Sequence, residues 1–319
     1  LECGFSGIEA KDCRARGCIW DSPRGLDWAG QSSSWPRCQR PQPARKVLAV
    51  TFVWGKRWAA LVPRFCAWAA RLRLEVAIVA MGSACRAACD AAAAALAGSG
   101  ISCWDPLLDE GDGSVSERGS ILQRHVMVHL LLQLGVDALA FDFDTFLFED
   151  PRRRLEAIAE EEGADILMAR HLDADCLNMG LIYIRASART AEWYYHYLKW
   201  LHQHLYEREQ RAMNALTGFT KQTVSFMPKD LPRVKAVALD DANEFVSSRG
   251  GWLGDWSQLK FFHWVNPAET ASSWADTKIS DLKAIYEAAL HPTTDTSAGV
   301  SLATLMARAG PHDLLWLQR

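Results

Sequence analysis

The residues best placed to do chemistry are two carboxylates at the end of an apolar run, Ala138-Leu139-Ala140-Phe141-Asp142-Phe143-Asp144. On extended backbone, spacing i, i+2 puts Asp142 and Asp144 on the same side. Two negative charges crowded among Phe side chains repel each other and lose hydration. A divalent cation that prefers hard oxygen, Mn²⁺ or Mg²⁺, is their natural partner, and it commonly brings a diphosphate to complete its coordination. The plainer alternative is that the pair caps the next turn or bonds to Arg152, Arg153 and Arg154. Asp150 is different: it precedes Pro151 and a helical pattern through Glu162, so it reads as an N-cap with Pro at the first helical position.

A rival catalytic use exists. Haloacid-dehalogenase-type phosphatases carry D-x-D-x-T at a strand end, the first Asp acting as nucleophile. Here the fourth residue after Asp142 is Phe146, and Thr145 falls one place early, on the other face. The pattern therefore disfavours a phosphatase.

Polar residues with matching chemistry flank the pair. Arg124, in a helical pattern stopped by Gly135, has a planar fork able to reach a phosphate, or else is a solvated helix charge. Downstream, Asn178-Met179-Gly180 joins a polar loop to an apolar strand. Asn178 offers a donor and an acceptor to a hydroxylated ligand, and Gly180 permits close backbone approach; an ordinary turn would use the same residues. The Gly-rich segment 247–256 carries Trp252 and Trp256, rings that suit either an acceptor sugar or the packing of the loop.

Short Val- and Ile-rich runs alternating with longer helical patterns must position these groups. Strands are expected at Val47–Val53, Glu75–Met81, Ala138–Phe143, Asp165–Ala169, Leu181–Ile184 and Val234–Leu239. Helices are expected over 57–72, 84–97, 117–134, 151–162, 187–205 and 276–290. The alternation implies an α/β domain with a mainly parallel sheet covered on both faces. Ligands bind such sheets at the carboxyl ends of the strands, where Asp142 and Asp144 lie.

Composition agrees. The 319 residues are 49% hydrophobic and 23% charged, enough for a sizeable core and too apolar for wholesale disorder. A net charge of -3 provides no field for nucleic acid or an anionic membrane, so a polyanion must be held locally. Fourteen Trp suit cores and sugar clefts alike. Of nine Cys, Cys3, Cys13, Cys18 and Cys38 crowd the first forty residues like a staple framework. Cys66, Cys85, Cys89, Cys103 and Cys176 lie in apolar stretches and read mostly as small buried hydrophobes. No apolar run reaches the roughly 18 residues of a membrane span, the Ala87–Ala97 tract being short and interrupted by Asp90. The chain starts at Leu1, which leaves room for an upstream signal or membrane anchor. Residues 1–42 form a loop-rich module, Arg40–Lys46 a stiff linker, and 43–319 the main domain.

Taken in order, Arg124, Leu134-Gly135, Asp142-Phe143-Asp144, Phe148-Glu149-Asp150-Pro151, Ala164-Asp165-Ile166 and Asn178-Met179-Gly180 with Tyr183 and Arg185 resemble the nucleotide-diphospho-sugar transferase domain. This is a GT-A-fold (Rossmann-like) glycosyltransferase family that includes plant cell-wall xylosyl-, arabinosyl- and galactosyltransferases. Thr51-Phe52, Glu209-Gln210 with Asn214, and His263 with Asn266 extend the likeness over about 47–290. The resemblance implies Asp142 and Asp144 as ligands of Mn²⁺ (or Mg²⁺) bridging the donor diphosphate, with His263 as a third metal ligand or a diphosphate contact. It implies Thr51, Phe52 and Trp54 beside the nucleotide and Arg124, where the family usually has Lys, on the donor. Asn178 and Gly180 would lie near the transferred sugar, with Glu209 and Gln210 close by. The family retains anomeric configuration; Asp173, Asp175, Glu209, Asp240 and Asp241 are all possible carboxylates near the cleft, and the sequence selects none as nucleophile.

The amino-terminal residues Cys3-Gly4-Phe5, Cys13, Gly17-Cys18-Ile19-Trp20 and Trp35-Pro36-Arg37-Cys38 resemble a trefoil, or P-type, domain. That family has six Cys; this chain has Ile19 where the second of an adjacent Cys pair would stand, and it also lacks that residue's partner. The resemblance implies bridges Cys3–Cys18 and Cys13–Cys38, each worth about 3 kcal/mol for loops near fifteen residues. Such a module either binds glycans or serves as a stapled cap.

The expectation is a metal-dependent retaining glycosyltransferase moving sugar from a nucleotide-diphospho-sugar to a glycan or glycoprotein acceptor. The disulfides place it in the Golgi or another secretory lumen. The alternative is a non-catalytic carbohydrate-binding or structural protein on a decayed transferase scaffold, whose binding would survive Asp142→Ala and Asp144→Ala.

Overall fold

The computed structural model describes residues 19–21, 37–39, 46–105, 117–171, 176–204, 207–219, 224, 228, 231–239, 244–248, 258–264 and 273–290. The chain divides into two compact units, Leu1–Lys46 and Val47–Arg319. In the first, β1 (Ile19–Asp21) pairs antiparallel with β2 (Arg37–Gln39), Trp20 opposite Cys38. The bridges Cys3–Cys18 and Cys13–Cys38 fall outside the described residues.

The second unit opens as strand and helix in turn: β3 (Val47–Trp54), α1 (Lys56–Ala59), α2 (Val62–Arg71), β4 (Val76–Met81), α3 (Ser83–Ala95), β5 (Ile101–Trp104), α4 (Glu117–Gln133) and β6 (Asp137–Asp142). Strands β5, β4, β3 and β6 lie side by side and parallel, as the alternation predicts. The helix expected over 57–72 is two, because Pro63 lacks the N–H that an interior turn needs and starts a new helix instead.

The second half is mixed. It comprises β7 (Thr145–Leu147), α5 (Arg152–Glu161), β8 (Ile166–His171), β9 (Leu177–Ile184), α6 (Ala188–Gln203), α7 (Glu209–Leu216), β10 (Ala236–Ala238), β11 (Phe245–Ser248), β12 (Phe261–Trp264) and α8 (Ser273–Leu290). The described strands run β5-β4-β3-β6-β9-β8-β11-β12-β7, with β10 also beside β8. Strand β9 is antiparallel to both β6 and β8. Only residues 172–176 connect β8 to β9, far fewer than the dozen or so that a parallel crossover needs. Strands β5, β7, β11 and β12 and helix α7 were not expected from the sequence. The strands have three or four residues each, too few for a period to register.

Alternate residues of the strands feed two cores. On one face Ala49, Val53, Leu139, Phe141, Leu181 and Tyr183 meet α2, α3, α5 and α8; on the other Val50, Phe52, Ala138, Ala140 and Ile182 meet α4, α6 and α7. Trp193 and Trp200 are buried in the second core, while Trp54 is an exposed large ring at the end of β3.

One expectation about the cysteines is corrected. Cys66 and Cys85 are free and buried and Cys176 is buried, but Cys89 and Cys103 form a disulfide with Cα atoms 5.9 Å apart. It ties α3 to the edge strand β5, a contact made only by the return of the chain to the sheet. Burial pushes the Cys66 thiol up to about 12 and the Cys85 thiol up to about 11, so both are inert.

Candidate active site

Strand β6 delivers Asp142 and stops. The backbone turns at Phe143 and Asp144 and re-enters the sheet as β7, a turn closed by the Thr145 hydroxyl donating to the Asp142 carbonyl at 2.8 Å. The two carboxylates therefore straddle a turn and do not share one face of a continuous strand. Phe146 is fully buried, stacked on Trp68, so the position where a phosphatase would carry its conserved Thr lies in the core.

Strand β7 pairs antiparallel with β12, His263 opposite Thr145. That register brings a residue 119 positions after Asp144 onto the acidic pair (263 − 144 = 119). His263 Nε2 lies 3.6 Å from Asp142 Oδ2 and 3.3 Å from Asp144 Oδ1. One ligand atom from each of Asp142, Asp144 and His263 lies within 4.8 Å of the others.

Each carboxylate also holds a protein cation. Arg124 on α4 donates to Asp142 through Nη1 and to the Met179 carbonyl through Nη2; its Nε is buried with no hydrogen-bond partner among the described residues. Lys278 on α8 donates to Asp144 and is almost wholly buried. Burial alone would push the Asp144 carboxyl up, but Lys278 and His263 beside it outweigh that and hold it well below the usual carboxylate range. Arg152 and Arg154 are not the partners of the pair: they bond to Asp150 and Glu244. Helix α5 starts one residue later than expected, with Pro151 at the cap position, and Asp150 still accepts from the Arg152 N–H at 3.1 Å.

Strand β9 forms the third wall. Between Met168 and Ala169 its pairing with β8 jumps from Ile182 to Asn178, so Met179, Gly180 and Leu181 bulge out of that ladder. Helix α7 holds the bulged end. Asn214 Oδ1 accepts from Leu177 N at 2.7 Å and its Nδ2 donates to Leu177 O at 3.0 Å, replacing a strand neighbour. Gln210 Oε1 accepts from Met179 N at 3.3 Å and lies 3.5 Å from Asn178 Nδ2. The Asn178 side-chain oxygen turns inward, to Gly180 N at 2.7 Å, His263 Nδ1 at 3.0 Å and Ser247 Oγ at 3.2 Å.

Asp142, Asp144, His263, Arg124, Asn178, Gly180 and Gln210 thus form one linked cluster. The remaining expected residues stand apart from it. Thr51 is fully buried, its hydroxyl donating to the Phe141 carbonyl at 3.0 Å, and Phe52 packs inside the sheet beside Asp142; of the three nucleotide candidates only Trp54 presents its ring to solvent. Glu209 opens α7, and its backbone carbonyl accepts from Tyr197. Tyr183 donates to buried Asp137 at 2.9 Å, a structural bond. Asp173, Asp175, Asp240, Asp241, Trp252, Trp256 and Asn266 lie outside the described residues.

Ser247 and Lys278 were not among the expected site residues. Ser247 belongs to β11, directly beside His263, where a loop was expected. Lys278 did leave a signal: with Leu282, Ile285 and Tyr286 it follows i, i+4, i+7, i+8, the buried stripe of α8, so a lysine stands where the helix needs an apolar residue.

The donor set suits Mn²⁺ or Mg²⁺. It has two hard carboxylates and one imidazole converging on a common point, with a glycine leaving space behind the imidazole.

Residues 109–249 match the family model of the nucleotide-diphospho-sugar transferases, and residues 1–41 match that of the trefoil (P-type) domain. Nothing among curated protein sequences matches the chain. Among solved structures, the glycosyltransferase GlyE of Streptococcus pneumoniae TIGR4 aligns over 77% of this chain at 12% identity and TM-score 0.43; the chain spans 63% of that protein's length. The galactosyltransferase LgtC, solved with donor and acceptor sugar analogs, aligns over 74% of this chain and 95% of its own at 14% identity and TM-score 0.43. Mouse xyloside xylosyltransferase 1 aligns over 69% and 97% at 14% identity and TM-score 0.43.

Proposed function

Because the chain belongs to the nucleotide-diphospho-sugar transferase family and carries a trefoil (P-type) module at its amino-terminal end, we propose that it is a retaining, metal-dependent glycosyltransferase. It would move a sugar from a nucleotide-diphospho-sugar to a glycan or glycoprotein acceptor. The observation that carries this reading is the convergence of Asp142 and Asp144, at the end of β6 and in the turn after it, with His263 on the distant strand β12. These three would hold Mn²⁺ or Mg²⁺. When bound, the ion supplies the charge that offsets the departing nucleoside diphosphate.

The chain's own residues do the rest. Arg124 adds a fixed guanidinium beside Asp142, and Lys278 an ammonium beside Asp144. An anionic donor is thereby received by a local group of cations in a chain whose net charge is -3. Gln210 and Asn214 hold the bulged backbone of β9 that faces the carboxylates, and Trp54 offers a ring at the carboxyl end of β3. The Cys89–Cys103 disulfide and the trefoil module fit an oxidising compartment, and we place the protein in the Golgi or another secretory lumen. No helix among the described residues is long and apolar enough to cross a membrane.

The test is a panel of nucleotide sugars incubated with the protein and Mn²⁺, followed by detection of released nucleoside diphosphate and by linkage analysis of any product. Donor hydrolysis or transfer that stops with chelator supports the reading. Silence across the panel, with no binding of a nucleoside diphosphate, refutes it.

A further inference from the structure

We propose that Asn178 is a positioning residue for His263: its side-chain oxygen accepts from the ring Nδ1 and so holds Nε2 toward Asp142 and Asp144. The inference rests on the metal-dependent reading above and adds how the third ligand is prepared.

A backbone N–H can only donate, so the Asn178 atom 2.7 Å from Gly180 N is the amide oxygen and not the amide nitrogen. The same oxygen lies 3.0 Å from His263 Nδ1. Two lone pairs would repel at that distance, so Nδ1 carries a hydrogen. Ser247 completes the arrangement: its hydroxyl, 3.2 Å from Asn178 Oδ1 and 3.0 Å from His263 Nδ1, donates to the former and accepts a share of the Nδ1 proton. With Nδ1 engaged as a donor, Nε2 is the nitrogen facing the two carboxylates at 3.6 and 3.3 Å, where it would donate to them without an ion and offer its lone pair to an ion held between them. Metal-bound histidines are held in this way, the second nitrogen donating to an oriented acceptor.

Burial makes the orientation rigid. Asn178 is 4% exposed, His263 5% and Ser247 0%. They come from β9, β11 and β12, so the ring orientation is set by three strands at once. With its oxygen occupied by three internal donors, Asn178 acts through His263; its oxygen is not available to a sugar hydroxyl.

The experiment reads the tautomer and the metal separately. Two-bond ¹⁵N–¹H correlation spectra of the metal-free protein, assigned with His263→Gln, report which ring nitrogen of His263 is protonated. Mn²⁺ titrations followed by electron paramagnetic resonance report affinity. The expected result is a hydrogen on Nδ1 in the parent, with Mn²⁺ affinity about 10–100-fold lower in Asn178→Ala. Asn178→Asp, which keeps an acceptor toward both Gly180 N and Nδ1, should restore most of that affinity, a rescue that a purely structural role would not give. An Nδ1 without a hydrogen in the parent overturns the inference. So does parent-like Mn²⁺ affinity in folded Asn178→Ala. Failure of the folded parent to bind Mn²⁺ while its Nδ1–H signal is present instead overturns the metal reading itself, and with it the role given to Asn178.

Discussion

Gly180 and His263 approach so closely that a β-carbon on Gly180 would lie 2.7 Å from Cγ of the His263 ring and nearer still to Nδ1. The glycine is required by space, since Gly180 is not among the glycines with positive φ. Gly180→Ala should therefore push His263 off the acidic pair. We expect Mn²⁺ affinity to fall by at least about tenfold, as for loss of a ligand's orientation, while the folded far-ultraviolet spectrum is kept. Titration calorimetry on the variant checks this; unchanged affinity would mean that the ring can shift and still serve.

Asp142 and Asp144 should differ in what they do for the fold. Replacing either with Asn should abolish Mn²⁺ binding. Asp144→Asn also removes the carboxylate to which the Lys278 ammonium donates, from a side chain only 1% exposed, and should cost about 3 kcal/mol in denaturant unfolding. Asp142 is the more exposed carboxylate, so Asp142→Asn should cost less. Equal losses would show that Lys278 finds another acceptor.

Lys278 and a bound ion would share the Asp144 carboxylate. Lys278→Met should therefore lower thermal stability in chelator, because Asp144 loses the ammonium beside it, and enlarge the stabilisation produced by Mn²⁺. Differential scanning calorimetry with and without the ion measures both. A Mn²⁺ shift equal to the parent's would show that lysine and ion do not compete.

The Cys89–Cys103 bridge closes a sequence separation of 14 residues. The double replacement with Ser should cost about 3 kcal/mol, with the edge strand β5 losing amide-exchange protection first. Loss spread evenly over the sheet would place the stabilisation elsewhere.

Acid should weaken the fold through His129. Its Nδ1 is buried without a hydrogen-bond partner among the described residues, and burial lowers its pKa below the ordinary 6.5. The unfolded chain then takes up the proton first, so this contribution is full above about pH 6.5 and is lost as pH falls toward the folded value. His129→Leu should flatten the pH dependence of the denaturation midpoint between pH 7.5 and pH 5.5.

Much of the scaffold was legible because it repeats. Strands β3, β4, β6 and β8 and helices α3 to α6 carry apolar spacing long enough to show a period, and they are the elements that bury both faces of the sheet. The acidic pair was legible too, as charge where the pattern calls for apolar residues. Lys278 offered the same kind of signal on α8. The Cys89–Cys103 bridge offered none, since apolar surroundings describe a buried thiol and a buried disulfide equally.

The sequence by itself determined the parallel half of the sheet and the carboxylates at its end, because those depend on local period and on the cost of placing charge among Phe side chains. Only the tertiary structure decided what the carboxylates face. His263 reaches them through the pairing of β7 with β12, two strands of three and four residues separated by more than a hundred positions, and so short a stretch specifies no partner on its own. The same holds for Ser247 and for the inward turn of Asn178: a side-chain oxygen acquires its donors when β9, β11 and β12 meet, and until then the residue is equally suited to a turn, a ligand or a ring nitrogen.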